Sequence, residues 1–84
     1  AYVKPRNQLE QQLCDIWQAT LEVEQVGIYD RFFDIGGNSI IAIRLTAVMR
    51  RTLAMDIPLV LLFEQQTVAG IASGLMPNGL MAKL

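Results

Sequence analysis

Apolar residues recur at helical spacing in several stretches of this chain, separated by a double glycine and a proline. Leu9, Leu13, Ile16, Trp17 and Thr20 share one side of a 3.6-residue period, while Glu10, Gln11 and Gln18 fall on the other, so the pattern predicts a first helix over residues 8–21. Asn7 followed by Glu10 has the spacing of a capping box, with Asn in place of Ser or Thr. A second helix is predicted from Ser39 to about Leu53. At roughly 100° per residue, Ala42, Leu45, Thr46, Met49 and Leu53 cluster on one face, and Ile40, Ile43 and Ala47 lie nearly opposite. A surface helix needs only one apolar stripe. Either this helix is buried all round or its second stripe meets a partner, and the second reading suits so small a chain better.

Pro58 then interrupts the chain before the continuous run Leu59, Val60, Leu61, Leu62 and Phe63. Periodicity does not separate helix from strand in so short a run. With helices on both sides and no second strand to pair with, a short third helix is expected. Thr67 is a reasonable N-cap for a fourth, whose buried stripe would be Val68, Ile71, Ala72 and Leu75 before Pro77, Asn78 and Gly79 end it. The fold class is therefore all-α: a four-helix bundle of three longer helices and one short helix.

Between the first two helices, residues 22–38 form a connection without clear period. Loops above about 12–15 residues are uncommon unless functional or anchored by their own side chains. Ile28, Tyr29, Phe32, Phe33 and Ile35 are candidate anchors, with Phe32 and Phe33 expected to plug the core beneath the loop. Gly36-Gly37 permits positive φ just before the second helix. Residues 1–6 read as a linker and 7–75 as the domain. Residues 76–84 read as a second linker, with docking to a following protein as the alternative.

Length and composition narrow the function. The 84 residues make a single domain, and at 52% hydrophobic they are too apolar for a disordered chain. Seven basic and eight acidic residues give a net charge of −1, which lacks the basic excess of a nucleic-acid binder. The lone Cys14, at the margin of the first stripe, forms no internal disulfide and reads as a small packing residue in a reduced, cytoplasmic setting. No apolar run is long enough to span a membrane. The start at Ala1 rather than Met suggests a piece of a longer polypeptide, expected to be monomeric in isolation.

The chemistry that remains is centred on Ser39. There is no histidine, Ile41 stands where a nucleophile elbow needs its second glycine, and the lysines are only Lys4 and Lys83, so hydrolysis by a serine nucleophile is unsupported. Gly36-Gly37-Asn38-Ser39 lacks the lysine of a P-loop. Asp30 and Asp34 lack the dense acidic spacing of a calcium loop and read as solvated carboxylates. What is left is a serine displayed at a helix start, where free N–H groups and the helix dipole favour a phosphate ester by about 0.3–1 kcal/mol per charge. By spacing alone, capping of the helix by Asn38 or Ser39 is an equally good reading.

The segment Asp30-Arg31-Phe32-Phe33-Asp34-Ile35-Gly36-Gly37-Asn38-Ser39-Ile40 resembles the signature of peptidyl carrier (thiolation) domains of nonribosomal peptide synthetases. Asn7, Leu9, Leu13 and Trp17 resemble that family's first helix, and Pro58-Leu59, Leu62-Phe63 and Thr67-Val68 its closing segment, so the likeness covers nearly the whole chain. The resemblance implies an acyl-carrier-like four-helix fold with no catalysis of its own. It also implies 4′-phosphopantetheine attached to Ser39 by a phosphopantetheinyl transferase, flanked by Gly36, Gly37 and Asn38. The arm's thiol would hold aminoacyl or peptidyl groups as thioesters. Ile40, Ile43, Arg44 and Ala47 would then meet adenylation and condensation domains, and epimerisation or thioesterase domains where present. Fatty-acid-type carriers tend to have an acidic second helix, whereas Arg44, Arg50 and Arg51 make this one basic. Asn38 departs from the more usual His or Asp, a position that tends to track the domain that follows, and so leaves the downstream partner open. An acyl or aryl carrier, and an interaction module without a prosthetic group, are the alternatives.

Overall fold

A computed structural model describes residues 1–75, and residues 76–84, the expected linker or docking tail, lie outside it. Four helices pack together: α1 (Gln8–Leu21), α2 (Ser39–Leu53), α3 (Leu59–Gln65) and α4 (Val68–Leu75). A 3-10 turn at Phe32–Ile35 sits within the α1–α2 connection, and no strand occurs among the described residues. α1 packs on α2 and α4, and α3 bridges α2 and α4.

Side-chain caps explain where three of these helices begin. Asn7 Oδ1 accepts the Glu10 N–H at 2.8 Å, and Thr67 Oγ1 accepts the Gly70 N–H at 3.0 Å. Each satisfies a donor that the first helical turn leaves free. Asn38 does the same for α2.

Only half of the expected capping box forms. The Glu10 carboxylate accepts the Arg6 backbone N–H at 2.8 Å and the Arg6 guanidinium at 2.7 and 3.1 Å. Glu10 is 2% exposed, which corrects its placement on the solvent side of α1. Burial is tolerated because the carboxylate is fully paired. Hydrogen bonds from the Arg6 side chain hold it below the usual carboxylate range, against the desolvation that would raise it. Gln18 is likewise not spent on solvent, since its Oε1 accepts the Val26 N–H at 2.9 Å.

Arg6 also lies 5.6 Å from the centre of the Tyr29 ring and donates to its hydroxyl at 3.1 Å. The Val3 carbonyl accepts the Ile28 N–H at 2.9 Å. Residues 3–6, expected as a linker, therefore run as a strap against the α1–α2 connection.

That connection is anchored by Val26, Ile28 and Phe32, all fully buried. Phe32 meets Trp17 of α1 edge-to-face at 5.7 Å. The Ile28 carbonyl accepts the Ala69 N–H at 2.9 Å, and the Phe32 N–H donates to the Gln66 carbonyl at 2.8 Å, so the connection is pinned to the α3–α4 junction. Two expected anchors point outward instead. Tyr29 is exposed because the Asp30 carboxylate closes a turn onto the Gly27 N–H at 2.8 Å. The same bond shows that Asp30 is committed to the backbone rather than simply solvated. Phe33 is exposed because neighbouring residues of a 3-10 turn project about 120° apart, so Phe32 and Phe33 do not both enter the core.

Candidate functional site

The 3-10 turn ends at Gly36, whose φ of +104° favours glycine. Gly37 is constrained differently: a Cβ there would sit within 2.6 Å of Phe32 Cδ2, inside the ring's contact surface. The Gly37 N–H also donates to the Phe32 carbonyl at 3.0 Å. Two glycines thus let the chain turn sharply and then lie flat on the buried ring before α2 starts.

Asn38 is extended, at φ −152° and ψ 179°, and its Oδ1 accepts the Ile41 N–H at 2.9 Å. Of the two capping readings left open by the spacing, the structure selects Asn38. Ser39 becomes the first helical residue, exposed, and its hydroxyl makes no hydrogen bond among the described residues. The Ser39 and Ile40 N–H groups are likewise without a backbone partner among those residues. No acidic residue lies in the first turn of α2. A phosphate ester on Ser39 would meet free donors and the positive end of the helix, with no carboxylate of that turn against it.

Beyond Ser39, α2 shows two faces. Ala42, Leu45, Thr46 and Met49 are buried. Ile40 is 72% and Ile43 61% exposed, and Arg44 and Ala47 are exposed with them. The second apolar stripe therefore faces outward and the helix is not buried all round. Arg50 approaches Asp56 only at 4.0 Å with both side chains well exposed, a pairing worth little.

Two aromatic side chains meet near the Gly36-Gly37 turn without any periodicity that announces them. Phe33 stacks on Phe63 of α3, ring centres 5.8 Å apart and planes 9° from parallel, and Val60 on the same short helix is exposed. A five-residue apolar run gives no indication of which members face out, though the spacing of Val60 and Phe63 fits one side of a helix.

Other reactive groups are quiet. Cys14 is buried as expected of a packing residue, and burial, with smaller contributions from nearby carboxylates, pushes its thiol up to about 11. No cluster of metal-ligating side chains occurs among the described residues, and no helix among them is long and apolar enough to cross a membrane.

The family model described as a phosphopantetheine attachment site matches residues 11–75. Tyrocidine synthase 3 of Brevibacillus parabrevis is 44% identical over 71 residues, which are 84% of this chain and 1% of that protein. Surfactin synthase subunit 1 of Bacillus subtilis (strain 168) is 46% identical over 72 residues, 86% of this chain and 2% of that protein. The chain thus spans a very small part of the length of these relatives. Among solved structures, a chain in the complex of the phosphopantetheine transferase Sfp with coenzyme A and a peptidyl carrier protein superposes with a TM-score of 0.82 at 38% identity, covering 87% of this chain and 95% of that one. The solution structure of a carrier described as a prototype for the peptidyl carrier domains of modular peptide synthetases gives 0.74 at 40% identity, covering 86% and 95%. The exposed serine at the head of α2, the four-helix fold and these likenesses agree: the chain belongs to the phosphopantetheine-attachment family, among its peptidyl carrier domains.

Proposed function

We propose that Ser39 is the residue to which 4′-phosphopantetheine is joined, and that the domain carries aminoacyl or peptidyl groups for a nonribosomal peptide synthetase without catalysing a step itself. The observation that carries this reading is the division of labour between adjacent residues. Asn38 takes the capping role, so the Ser39 hydroxyl is exposed and uncommitted at the positive end of α2. Gly36 and Gly37 shape the turn that presents it.

In the attachment reaction Ser39 Oγ attacks the phosphorus of coenzyme A that bears the pantetheine. The new Oγ–P bond replaces the pyrophosphate bond, and adenosine 3′,5′-bisphosphate leaves. The serine proton needs a base, and no histidine, lysine or carboxylate hydrogen-bonds the Ser39 hydroxyl among the described residues. The transferase must supply that base and the closure that excludes water. Once attached, the group contributes a thiol suited to thioester chemistry, while the protein contributes placement.

The outward face of α2, with Ile40, Ile43, Arg44 and Ala47, is the surface we assign to the transferase. The same face would serve the adenylation, condensation, epimerisation or thioesterase domains. A small apolar patch suits partners that must be released in turn. Arg44, Arg50 and Arg51, with no acidic residue in α2, favour the peptide-synthetase setting over an acyl carrier with an acidic second helix. The reduced, buried Cys14 is in keeping with work in the cytoplasm.

The reading is tested by incubation with a fluorescent coenzyme A and a broad-specificity phosphopantetheinyl transferase. The native domain should take the label and Ser39→Ala should take none, with equal helical circular dichroism. A native domain that stays dark, or a labelled Ser39→Ala, overturns it.

A further inference from the structure

The stacked Phe33–Phe63 pair is left over once the core and α2 have been accounted for. Phe33 keeps 43% of its surface exposed, and Val60, three residues before Phe63 on α3, keeps 54%. Phe32, fully buried, fills the core beneath the turn, and Phe33 is not among the buried residues. It lies edge-on against Phe32 at 5.0 Å, outside the buried layer. A single exposed ring is ordinary, whereas apolar side chains grouped at the surface mark a place of contact.

Position gives the ledge its meaning. Gly37 rests on the Phe32 ring, so Phe33 stands one ring away from the turn that presents Ser39. The group proposed for Ser39 begins with a phosphate and continues at once into a pantoyl unit bearing two methyl groups on one carbon. The phosphate is drawn to the head of α2. The methyl groups, next along the arm, have no reason to stay in water when an apolar surface flanks the turn that presents their anchor.

We propose that the stacked rings of Phe33 and Phe63, with Val60 beside them, form a resting ledge for the pantoyl methyl groups of the arm. This rests on Ser39 being the attachment residue. The occupant is tethered, so the contact costs no second association event. Each methyl group buried shifts the resting equilibrium about fourfold, enough to bias the arm and too little to lock it.

The test is nuclear magnetic resonance on the primed domain with a carbon-labelled arm. Cross-relaxation is expected between the pantoyl methyl protons and the ring protons of Phe33 and Phe63, together with ring-current shifts of those methyl signals. In Phe33→Ala, an exposed-side substitution, the methyl shifts should move to the values of free pantetheine. Val60→Ser should weaken the contact without touching the stack. Methyl signals that match free pantetheine in the native primed domain, or that are identical in the native protein and Phe33→Ala, overturn the ledge. A domain that is not primed at all condemns the attachment reading instead, so the two failures are told apart by mass before any spectrum is recorded.

Discussion

Gly36 and Gly37 are neighbours held by different forces, and the difference is measurable. Gly36 needs its positive φ and has nothing near where a Cβ would go, whereas Gly37 needs the absence of a Cβ because the Phe32 ring occupies that space. Gly37→Ala should cost about 1–3 kcal/mol by overpacking, read from urea unfolding. In a Phe32→Leu background that penalty should shrink, while the penalty of Gly36→Ala should not. Equal penalties in both backgrounds would show that the ring is not what excludes the side chain. At this scale the sequence was informative about backbone and poor about side-chain direction. The double glycine announced a turn, and Asn38 and Ser39 announced a helix start. Which of the two capped was settled only by the Asn38–Ile41 bond. Helical periodicity places the Glu10 carboxylate in water, but the residue that pairs it in the interior, Arg6, lies before the helix where periodicity says nothing.

α1, α2 and α4 were legible because each starts at a recognisable cap and keeps a buried apolar stripe, whereas α3 was legible only as an apolar run after a proline. Asn7, Asn38 and Thr67 mark three of the starts, and Pro58 marks the fourth. α2 was also legible as two-faced, since Ile40, Ile43 and Ala47 lie opposite the buried stripe. The α1–α2 connection was less so: adjacent aromatic residues suggest a shared place in the core, but a 3-10 turn has a period of three and sends Phe32 and Phe33 to different sides. For α2 the exposed stripe carries a direct expectation. Ile43→Glu should leave unfolding free energy within about 0.5 kcal/mol of native, yet slow labelling by the transferase through a raised KM. Loss of helical signal in that variant would instead make Ile43 part of the core, against its 61% exposure.

Across the whole molecule, the N-terminal strap and the α1–α2 connection are joined by long-range bonds that no local pattern announces. Val3 to Ile28, Arg6 to Tyr29, and Ile28 to Ala69 link the two ends of the described fold through the segment that leads to Ser39, and Arg6 ties the strap locally to Glu10 in the first turn of α1. This arrangement has a pH signature. The folded Glu10 carboxyl titrates below its ordinary 4.5, so its contribution is complete above that value and is lost as pH falls through the depressed folded value. The native domain should be more thermally stable than Glu10→Gln at pH 7. The gap in Tm should narrow steadily below pH 4.5, and a gap independent of pH would mean that the ion pair contributes nothing. Glu10 pairs with Arg6 and makes no hydrogen bond to α2, so both proteins should be primed at similar rates at neutral pH.

The most direct test of the whole reading is fragment mass spectrometry of the domain after priming with coenzyme A and the transferase. One phosphopantetheine is expected per chain, with the fragment ions placing it on Ser39. A chain that gains no such mass, or one that carries it on Thr46, Ser73 or any other residue, would contradict the role given to the head of α2.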